Sequence, residues 1–375
     1  MFSEICGMNF VVGAVVVAAV LGIGRWIFGR LKILDRPGPD IVPKRAGVPT
    51  AMGVRAWLSV VLGGLAMGFG NSQNFWALVL GGAVVVAVAT RDEVRFLRRR
   101  PDLPARVRLI GQILALGVAL RVGEIWLAER SFGRMVFEIP RWVFAGGFVI
   151  WGLFCINAVN WIDGINGLAS GVSSVGFAAL MAVIARVVVP FYGEISPEIA
   201  QNLQEIFGLS FLFRVAATLA TIGEFKPKML LRDIGTMFRG LGLAYLAVAG
   251  GVRLGTLLVA LSLPLLDAVR VGLHRIFVVG KNPLRGDYSH LHYRLLRLGW
   301  TRTEVRIFVW GRSVVLLILT LLLGAGRWEK LVLALLMAGI FLSVNGYLFW
   351  VKKLPCGLDL VKKNPGERSR AAEKK

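Results

Sequence analysis

The sequence predicts an all-α protein that crosses a membrane many times, and two observations lead to that fold class. Of the 375 residues, 56% are hydrophobic and the mean hydropathy is +0.68, well above the values of soluble globular domains. The apolar residues also fall in runs long enough to cross a bilayer as helices, about eleven by the hydrophobic-run rule. These runs lie near residues 8–29, 51–70, 75–90, 107–122, 142–158, 168–191, 207–222, 237–252, 254–272, 307–324 and 329–350.

The basic residues predict how these helices are oriented. Five windows that follow odd-numbered runs hold 34 of the 44 lysines and arginines: residues 25–55, 91–108, 226–239, 270–306 and 352–375. With eleven spans and an outside N-terminus, all five windows lie on one side of the membrane. Because basic residues favour the cytoplasmic side, we predict an outside N-terminus and a cytoplasmic C-terminus.

The formal charge of +22 requires no nucleic-acid partner, since membrane orientation and attraction to anionic lipid account for most of it. The cysteines Cys6, Cys155 and Cys356 are scattered and odd in number, and they predict neither a disulfide framework nor a zinc site. We predict one integral-membrane domain over residues 1–351 and a disordered, basic, cytoplasmic tail over residues 352–375.

Chemically capable side chains lie at the predicted cytoplasmic ends of separate spans. An acidic pair follows the third span, an Asn/Asp ladder at three-residue intervals follows the fifth, one acid precedes the eighth, and an Asp and two His separate the ninth and tenth. They are Asp92, Glu93, Asn157, Asn160, Asp163, Asn166, Asp233, Asp287, His290 and His292. Carboxylates that converge on one face among many cations suit a site for Mg²⁺ and a diphosphate. The alternative for any single acid is a solvated loop residue that balances a nearby arginine.

Six segments resemble a known family, and they follow its order along the chain. They read "KRAGVPTAMG", "DEVRFLRRRPDLPARVRLIGQ", "NAVNWIDGINGLASG", "RDIGTMFRG", "PLLDAVRVGLHRI" and "DYSHLHYRLLRLGW". The third is the most specific, since it is similar to the pattern Asn-x-x-Asn-x-x-Asp-Gly-x-x-Gly-Leu. Together they resemble the polyprenyl-phosphate N-acetylhexosamine-1-phosphate transferases of glycosyltransferase family 4, which include the phospho-N-acetylmuramoyl-pentapeptide transferases. The resemblance covers roughly Asp35 to Gly299.

The resemblance implies a Mg²⁺-dependent phosphoglycosyltransferase, with Mn²⁺ as a substitute metal. A polyprenyl (undecaprenyl) phosphate would attack the β-phosphorus of a UDP-amino sugar and release UMP, in the synthesis of cell-wall or lipopolysaccharide precursors. The partners would be the lipid phosphate and the UDP-sugar, and the location would be the bacterial inner membrane, with multiple passes. The sequence leaves a homodimer open and does not identify the sugar.

The resemblance also implies roles for individual residues. Asp233 matches the metal ligand, and Asp92 and Glu93 match the acidic pair that contacts the metal or deprotonates the lipid phosphate. The remaining matches line the nucleotide, metal or phosphate region. Asp163, His290 and His292 are expected among the catalytic residues, and Lys44, Arg45, Asn157, Asn160 and Asn166 among those that bind nucleotide or phosphate.

This chain departs from the family pattern beside its key acids. Glu93 stands where the family usually has Asp, Asn166 where many members have a second Asp, and Tyr293 where a third His is common. Arg91 precedes Asp92, Arg232 replaces the usual glycine before Asp233, and either arginine could pair with the adjacent acid and compete with the metal. A non-catalytic homologue that binds lipid or a partner therefore stays open. A transporter is less consistent, since we find no paired repeats.

Overall fold

The structure, a computed structural model, describes residues 2–30, 52–98, 101, 103–126, 129–132, 135–188, 196–225, 232–251, 261–277, 280, 289–322, 335 and 339. In chain order the described helices are α1 (Phe2–Arg30), α2 (Met52–Ala66), α3 (Gln73–Leu97), α4 (Ala105–Gly123), α5 (Arg141–Trp161), α6 (Leu168–Val188), α7 (Pro197–Phe225), α8 (Arg232–Ala249), α9 (Ser262–Phe277), α10 (Leu291–Arg297) and α11 (Arg302–Leu322). A 3₁₀ turn, Phe69–Asn71, precedes α3.

Among the described residues the predicted all-α class is confirmed, with one correction. Strands β1 (Glu129–Phe132) and β2 (Met135–Glu138) form an antiparallel hairpin between α4 and α5. Phe132 pairs with Met135, which leaves the two-residue connection that favours hairpins. This segment is too short to cross a bilayer, and pairing the two strands satisfies backbone groups between two long helices.

Each of the first ten predicted spans overlaps a helix of the described residues, although several helices begin or end some residues away from the expected bounds. Six helices are long and apolar enough to cross a membrane within the described residues: α1, α3, α5, α6, α7 and α11. Part of the ninth predicted span and most of the last lie outside the described residues, as does the tail from residue 352. The total of eleven spans and the orientation of the termini therefore stay predictions.

Local capping explains where several of these helices begin. Ser72 Oγ accepts the backbone N–H of Phe75 at the start of α3, which satisfies one of the free amides of a first helical turn. In α11, Thr301 Oγ1 accepts the N–H of Glu304, and the Glu304 carboxylate accepts the N–H of Thr301. This reciprocal pair is a capping box.

Helix α8 lies at the centre of the bundle, and every residue from Ile234 to Val248 is buried. It packs against α2, α3, α5, α6 and α7. At Gly240 it crosses α5 so closely that a Cβ would overlap the backbone of Ile156. A small residue is required at such a crossing, and α8 thereby positions its first residues, including Asp233, among the ends of the surrounding helices.

A polar cluster joins α3, α7 and α8 at the end of the bundle far from Asp233, and we call it the distal cluster: Ser72, Asn74, Asn202, Glu205 and Tyr245. Glu205 accepts hydrogen bonds from Ser72 at 2.7 Å and from Asn74 at 3.3 Å. The Asn74 amide also donates to Asn202 at 2.9 Å and accepts from the Tyr245 hydroxyl at 2.9 Å. These polar groups satisfy one another inside the helix packing.

Candidate active site

The opposite end of the bundle brings together the acids that the sequence singles out. Asp92 lies near the end of α3, and Asp233 lies in the first turn of α8. The Asp92 carboxylate accepts the backbone N–H of Leu103 at 2.6 Å, which fixes the connection between α3 and α4 over the end of α3. The Asp92 side chain is 10% exposed and that of Asp233 is 43% exposed.

Arg108 of α4 links these two carboxylates. Its Nη1 lies 3.3 Å from Oδ2 of Asp233 and 3.5 Å from Oδ2 of Asp92. The sequence pointed to the adjacent Arg91 and Arg232 as competitors for the acids, but the ion pair that joins both acids comes from a neighbouring helix. Arg91 is exposed, because consecutive residues of a helix point about 100° apart.

Asp233 and Arg108 border a cavity of about 180 Å³, and Asp92 reaches its edge through the contact with Arg108. Helix α4 contributes one face at helical spacing, α5 contributes polar amides, and α8 contributes Asp233. The lining residues are Ala105, Arg108, Leu109, Gln112, Asn157, Asn160, Trp161, Asp233 and Met237. Ligand sites usually measure roughly 300–1,000 Å³, so the described residues enclose a space suited to one polar portion of a larger substrate.

Amide hydrogen bonds hold the Asn ladder against α4 and α8. The Asn157 amide donates to Gln112 at 2.9 Å and to the carbonyl of Leu153 at 2.8 Å. The Asn160 amide donates to the Thr236 hydroxyl at 3.0 Å. The NH₂ groups of both asparagines therefore tie α5 to α4 and α8, and these contacts order the wall of the cavity.

A buried polar network supports the loop that follows the ladder. The Glu224 carboxylate accepts the N–H of Gly167 at 2.9 Å and the hydroxyl of Ser170 at 2.7 Å. Arg239 of α8 donates to Ser170 at 2.8 Å. Glu224 and Arg239 are each only 1% exposed, and Asp163 lies within electrostatic range of Arg239. The network ties the ends of α6 and α7 to α8 and so positions the loop with Asp163.

Asp267 organises the histidine segment. Its carboxylate pairs with Nδ1 of His290 at 2.8 Å and with Nη2 of Arg270 at 2.9 Å, and it accepts the N–H of Leu291. Arg270 also donates to the carbonyl of Ser289 at 2.7 Å. Because a carboxylate accepts the Nδ1 proton of His290, Nε2 is the nitrogen left for a ligand.

His292 lies directly against the ladder loop. A Cβ at Gly164 would overlap its Nε2 and the ring of Tyr293, so only glycine fits there. Burial, with a smaller contribution from His290, lowers the pKa of His292 to about 3, so its ring is neutral at pH 7. Its Nε2 has no hydrogen-bond partner within the described part of the chain.

Trp161 connects the histidines to the acids. Its ring centroid lies 6.0 Å from that of His290, and it borders both the main cavity and a smaller one of about 10 Å³ beside His290 and His292. The histidines thus neighbour the main cavity across one aromatic wall and do not line it.

The other predicted site residues are placed as follows. Glu93 is buried in α3, and Asp163 and Asn166 are half-buried in the loop that follows α5. None of the three lines either cavity. Lys44, Arg45 and Asp287 lie outside the described residues. The roles of all these residues stay predictions.

The main cavity fits the chemistry of a magnesium ion in part. Over the described ranges no three His, Cys, Asp or Glu side chains cluster as a complete metal site. Asp92 and Asp233 nevertheless direct one oxygen each to a single cationic nitrogen. Mg²⁺ prefers oxygen ligands and is often held by one or two carboxylates, with waters and substrate phosphates completing its shell. Two carboxylates therefore fit the ion, and the metal role stays a prediction.

Comparison with known proteins supports the resemblance carried by the motifs. The model of glycosyl transferase family 4 matches residues 75–251, which include Asp92, Arg108, the Asn ladder, Glu224 and Asp233. The chain is 26% identical over 303 residues to a probable undecaprenyl-phosphate N-acetylglucosaminyl 1-phosphate transferase of Bacillus subtilis, covering 77% of each chain.

Two further relatives show the same level of similarity. A phospho-N-acetylmuramoyl-pentapeptide-transferase of Desulforudis audaxviator is 26% identical over 309 residues, covering 76% of this chain and 86% of the relative. A decaprenyl-phosphate N-acetylglucosaminephosphotransferase of Mycolicibacterium smegmatis is 26% identical over 298 residues, covering 72% and 69%.

The sequence reasoning missed Arg108, Gln112, Thr236, Glu224 and Arg239. One signal was available for α4: Ala105, Arg108, Leu109 and Gln112 recur at helical spacing and form one face, as cavity-lining residues of a helix do. Glu224 and Arg239 gave no comparable signal, because their pairing depends on how three helices meet.

Proposed function

We infer a function from the resemblance to the polyprenyl-phosphate N-acetylhexosamine-1-phosphate transferases, which the family match and the curated relatives support. From this premise we propose that the chain transfers N-acetylhexosamine-1-phosphate from a UDP-sugar to undecaprenyl phosphate and releases UMP. The proposal places the protein in the bacterial inner membrane, in cell-envelope polysaccharide or peptidoglycan precursor synthesis, with Mg²⁺ as its metal.

One observation supports the proposal most strongly. Asp92 and Asp233 belong to different helices that are far apart in sequence, yet each directs an oxygen to the same point at the edge of a polar cavity. Carboxylates in contact with one another repel unless a cation lies between them. Their convergence beside a cavity is the arrangement that phosphoryl transfer needs, because its catalysis depends on positioning and charge neutralisation.

The proposed reaction forms one P–O bond and breaks another. An oxygen of the lipid phosphate attacks the β-phosphorus of the UDP-sugar, and the bond from that phosphorus to the UMP oxygen breaks with its electrons leaving on UMP. When bound, Mg²⁺ would neutralise charge on the diphosphate. Asp92 and Asp233 would hold the ion, the amides of Asn157 and Asn160 would keep the cavity wall ordered, and Arg108 would add a positive charge.

The neighbouring histidine segment would contact the donor from the side of Trp161. His290, oriented by Asp267, presents Nε2 as an acceptor when the ring is neutral. A hydroxyl of the sugar, or a phosphate hydroxyl, is a suitable donor to that nitrogen. This role for His290 is part of the proposal, as is the role of Glu93 near the lipid phosphate.

The test is UMP release by purified protein with undecaprenyl phosphate, Mg²⁺ and a panel of UDP-sugars. We expect release that requires the lipid and stops with a chelator. Release without lipid would indicate a hydrolase. No release from any donor by well-folded protein would favour the non-catalytic homologue, an alternative for which the relatives offer no support.

The proposal also requires the acids to face the cytoplasm, where UDP-sugars are available. Single cysteines at position 196 and position 287 should therefore label from opposite sides of the membrane, with 196 outside and 287 inside. A variant without its natural cysteines is the background for both. Labelling of both positions from the same side would contradict the proposed topology.

A further inference from the structure

Arg108 stands where a metal ion between Asp92 and Asp233 would have to stand. Both ion pairs use the same nitrogen, Nη1, at 3.5 Å from Asp92 and 3.3 Å from Asp233. The three side chains come from α3, α4 and α8, so three helices meet at this point. Within the described part of the chain Arg108 forms no further ion pair, and it lines the main cavity.

The long N–O distances of these two ion pairs indicate that Arg108 binds the carboxylates weakly and can be replaced by another cation. Strong arginine–carboxylate pairs are bidentate, with N–O distances of about 2.7–2.9 Å. Here one nitrogen is shared between two acids at longer distances. The Arg108 side chain is 29% exposed and that of Asp233 is 43% exposed, so water screens the pair and limits its strength.

A divalent ion and the guanidinium exclude each other at this point. Mg²⁺ binds oxygen at about 2.0–2.1 Å, far closer than Arg108 lies now. An ion held by Asp92 and Asp233 would both occupy the space of Nη1 and neutralise the charge that attracts it. The displaced guanidinium would remain beside the cavity, because α4 is anchored by the Gln112–Asn157 amide pair one turn further along.

We propose that Arg108 is the resident counter-ion of Asp92 and Asp233 in the metal-free protein, and that a divalent metal displaces it into the cavity, where it binds a phosphate oxygen of the diphosphate substrate. This inference rests on the proposed function, since it assumes a metal and a diphosphate in this cavity. It assigns one arginine to two successive partners: carboxylates first, then phosphate. Guanidinium groups suit both, because carboxylate and phosphate present similar oxygen pairs.

The first test measures metal binding without substrate. Mn²⁺ affinity is determined by titration of the electron paramagnetic resonance signal for the parent protein, Arg108→Gln and Arg106→Gln. Arg106 is an exposed residue of the same helix, so its variant controls for the loss of one positive charge. Arg108→Gln should bind Mn²⁺ roughly tenfold tighter than the parent, as the loss of two competing, partly exposed ion pairs implies. Arg106→Gln should stay within about twofold, because separated surface charges are screened.

The second test measures the unfolding temperature, and it remains informative if Arg108→Gln folds poorly. Without metal, Arg108→Gln should unfold at a lower temperature than the parent, because its two acids lose their counter-ion. Added Mn²⁺ should raise that temperature more in the variant than in the parent. Arg108→Lys keeps a cation with a shorter reach, and its Mn²⁺ affinity should fall between those of the parent and Arg108→Gln.

The third test concerns the phosphate partner, with UDP as the probe. In saturating Mn²⁺, UDP should bind roughly tenfold more weakly to Arg108→Gln than to the parent, as expected for one charge-assisted contact. Unchanged UDP affinity would overturn the second half of the inference. Equal or weaker Mn²⁺ binding by both Arg108 variants would overturn the first half and leave the proposed function intact. Failure of the parent and of all variants to bind Mn²⁺ would overturn both the inference and the metal role in the proposed function.

Discussion

The two ends of the helix bundle each hold a polar cluster built on α3 and α8, and they are constructed differently. Asn74 and Asp92 belong to the same helix, separated by roughly 27 Å at 1.5 Å per residue. In the distal cluster, the polar groups hydrogen-bond to one another at 2.7–3.3 Å. At the other end, Asp92 and Asp233 share one nitrogen at 3.3 and 3.5 Å beside a cavity of about 180 Å³.

The comparison distinguishes polar groups that serve stability from polar groups that serve a ligand. Inside a low-dielectric helix bundle, an unsatisfied polar group is costly, and the distal cluster avoids that cost by closing on itself. The acidic end leaves cavity space, long ion pairs and a neutral His292 whose Nε2 lacks a partner in the described region. Those features are typical of a site that a ligand completes.

Replacing the exposed metal candidate should produce the largest effect on activity. Asp233→Asn preserves shape but removes a charged oxygen, and loss of even an outer partner of a metal usually costs about 10–100-fold. We expect UMP release to fall by at least about 100-fold, with a nearly unchanged unfolding temperature because the side chain is 43% exposed. Near-normal turnover at limiting Mg²⁺ would show that Asp233 is not a ligand.

Breaking the buried charge network should produce the largest effect on stability. Glu224→Ala leaves Arg239 buried without the acid that contributes most to its electrostatic stabilisation, a change that costs about 3–5 kcal/mol. Thermal unfolding in detergent measures the loss, and Glu198→Ala provides the control, since Glu198 is an exposed acid at the other end of α7. Equal stability of the two variants would contradict the role assigned to the network.

The distal cluster should respond in stability alone. Asn74→Ala leaves the buried Tyr245 hydroxyl without its acceptor and should cost about 1–3 kcal/mol. UMP release per folded molecule should not change. Combining Asn74→Ala with Tyr245→Phe should cost less than the two single losses added together, because both polar partners are then absent. A specific loss of turnover would show that the distal end takes part in the reaction.

The smallest effect concerns backbone strain, and each end of the helix bundle has one non-glycine residue with a positive φ. Arg232 (φ 51°) and Glu124 (φ 48°) are the non-glycine residues with positive φ among those described. A left-handed conformation costs an L-residue about 1–2 kcal/mol, so glycine at either position should stabilise the protein by about 1 kcal/mol. Only Arg232→Gly should also change lipid-substrate affinity, by a modest factor. A large gain of activity would mean instead that Arg232 silences the site.

The helices could be predicted from hydropathy, but their polar ends could not. The seventh run was expected to begin near residue 207, whereas α7 begins at Pro197. Its first turns contain Asn202 and Glu205, which lower the local hydropathy and yet pack within the distal cluster. The eighth run was expected from residue 237, whereas α8 begins at Arg232. The charged side chains of Arg232 and Asp233 lower the hydropathy of this first turn, so a hydropathy rule leaves the turn out of the span.

The acids of the site could be recognised in the sequence, but their partners depend on packing. Asp92 and Asp233 stand in motifs, so their convergence was expected. Arg108 lies in a basic window that orientation alone explains, and only its helical spacing to Gln112 distinguishes it from Arg106. Glu224 ends an apolar run, and its pairing with Ser170 and Gly167 exists only where α6, α7 and α8 meet.

The claim that the acidic end is a metal-dependent transfer site is tested most directly by isotope exchange. Purified protein is incubated with undecaprenyl phosphate, Mg²⁺, radiolabelled UMP and one UDP-amino sugar at a time, beginning with UDP-N-acetylglucosamine, and the label is followed into the UDP-sugar. Asn74→Ala and Asp233→Asn, one variant from each end, are compared at equal amounts of folded protein. The account predicts lipid- and Mg²⁺-dependent exchange in the parent and in Asn74→Ala, and none in Asp233→Asn. Exchange that persists in Asp233→Asn, or absence of exchange in the folded parent with every UDP-amino sugar, would contradict it.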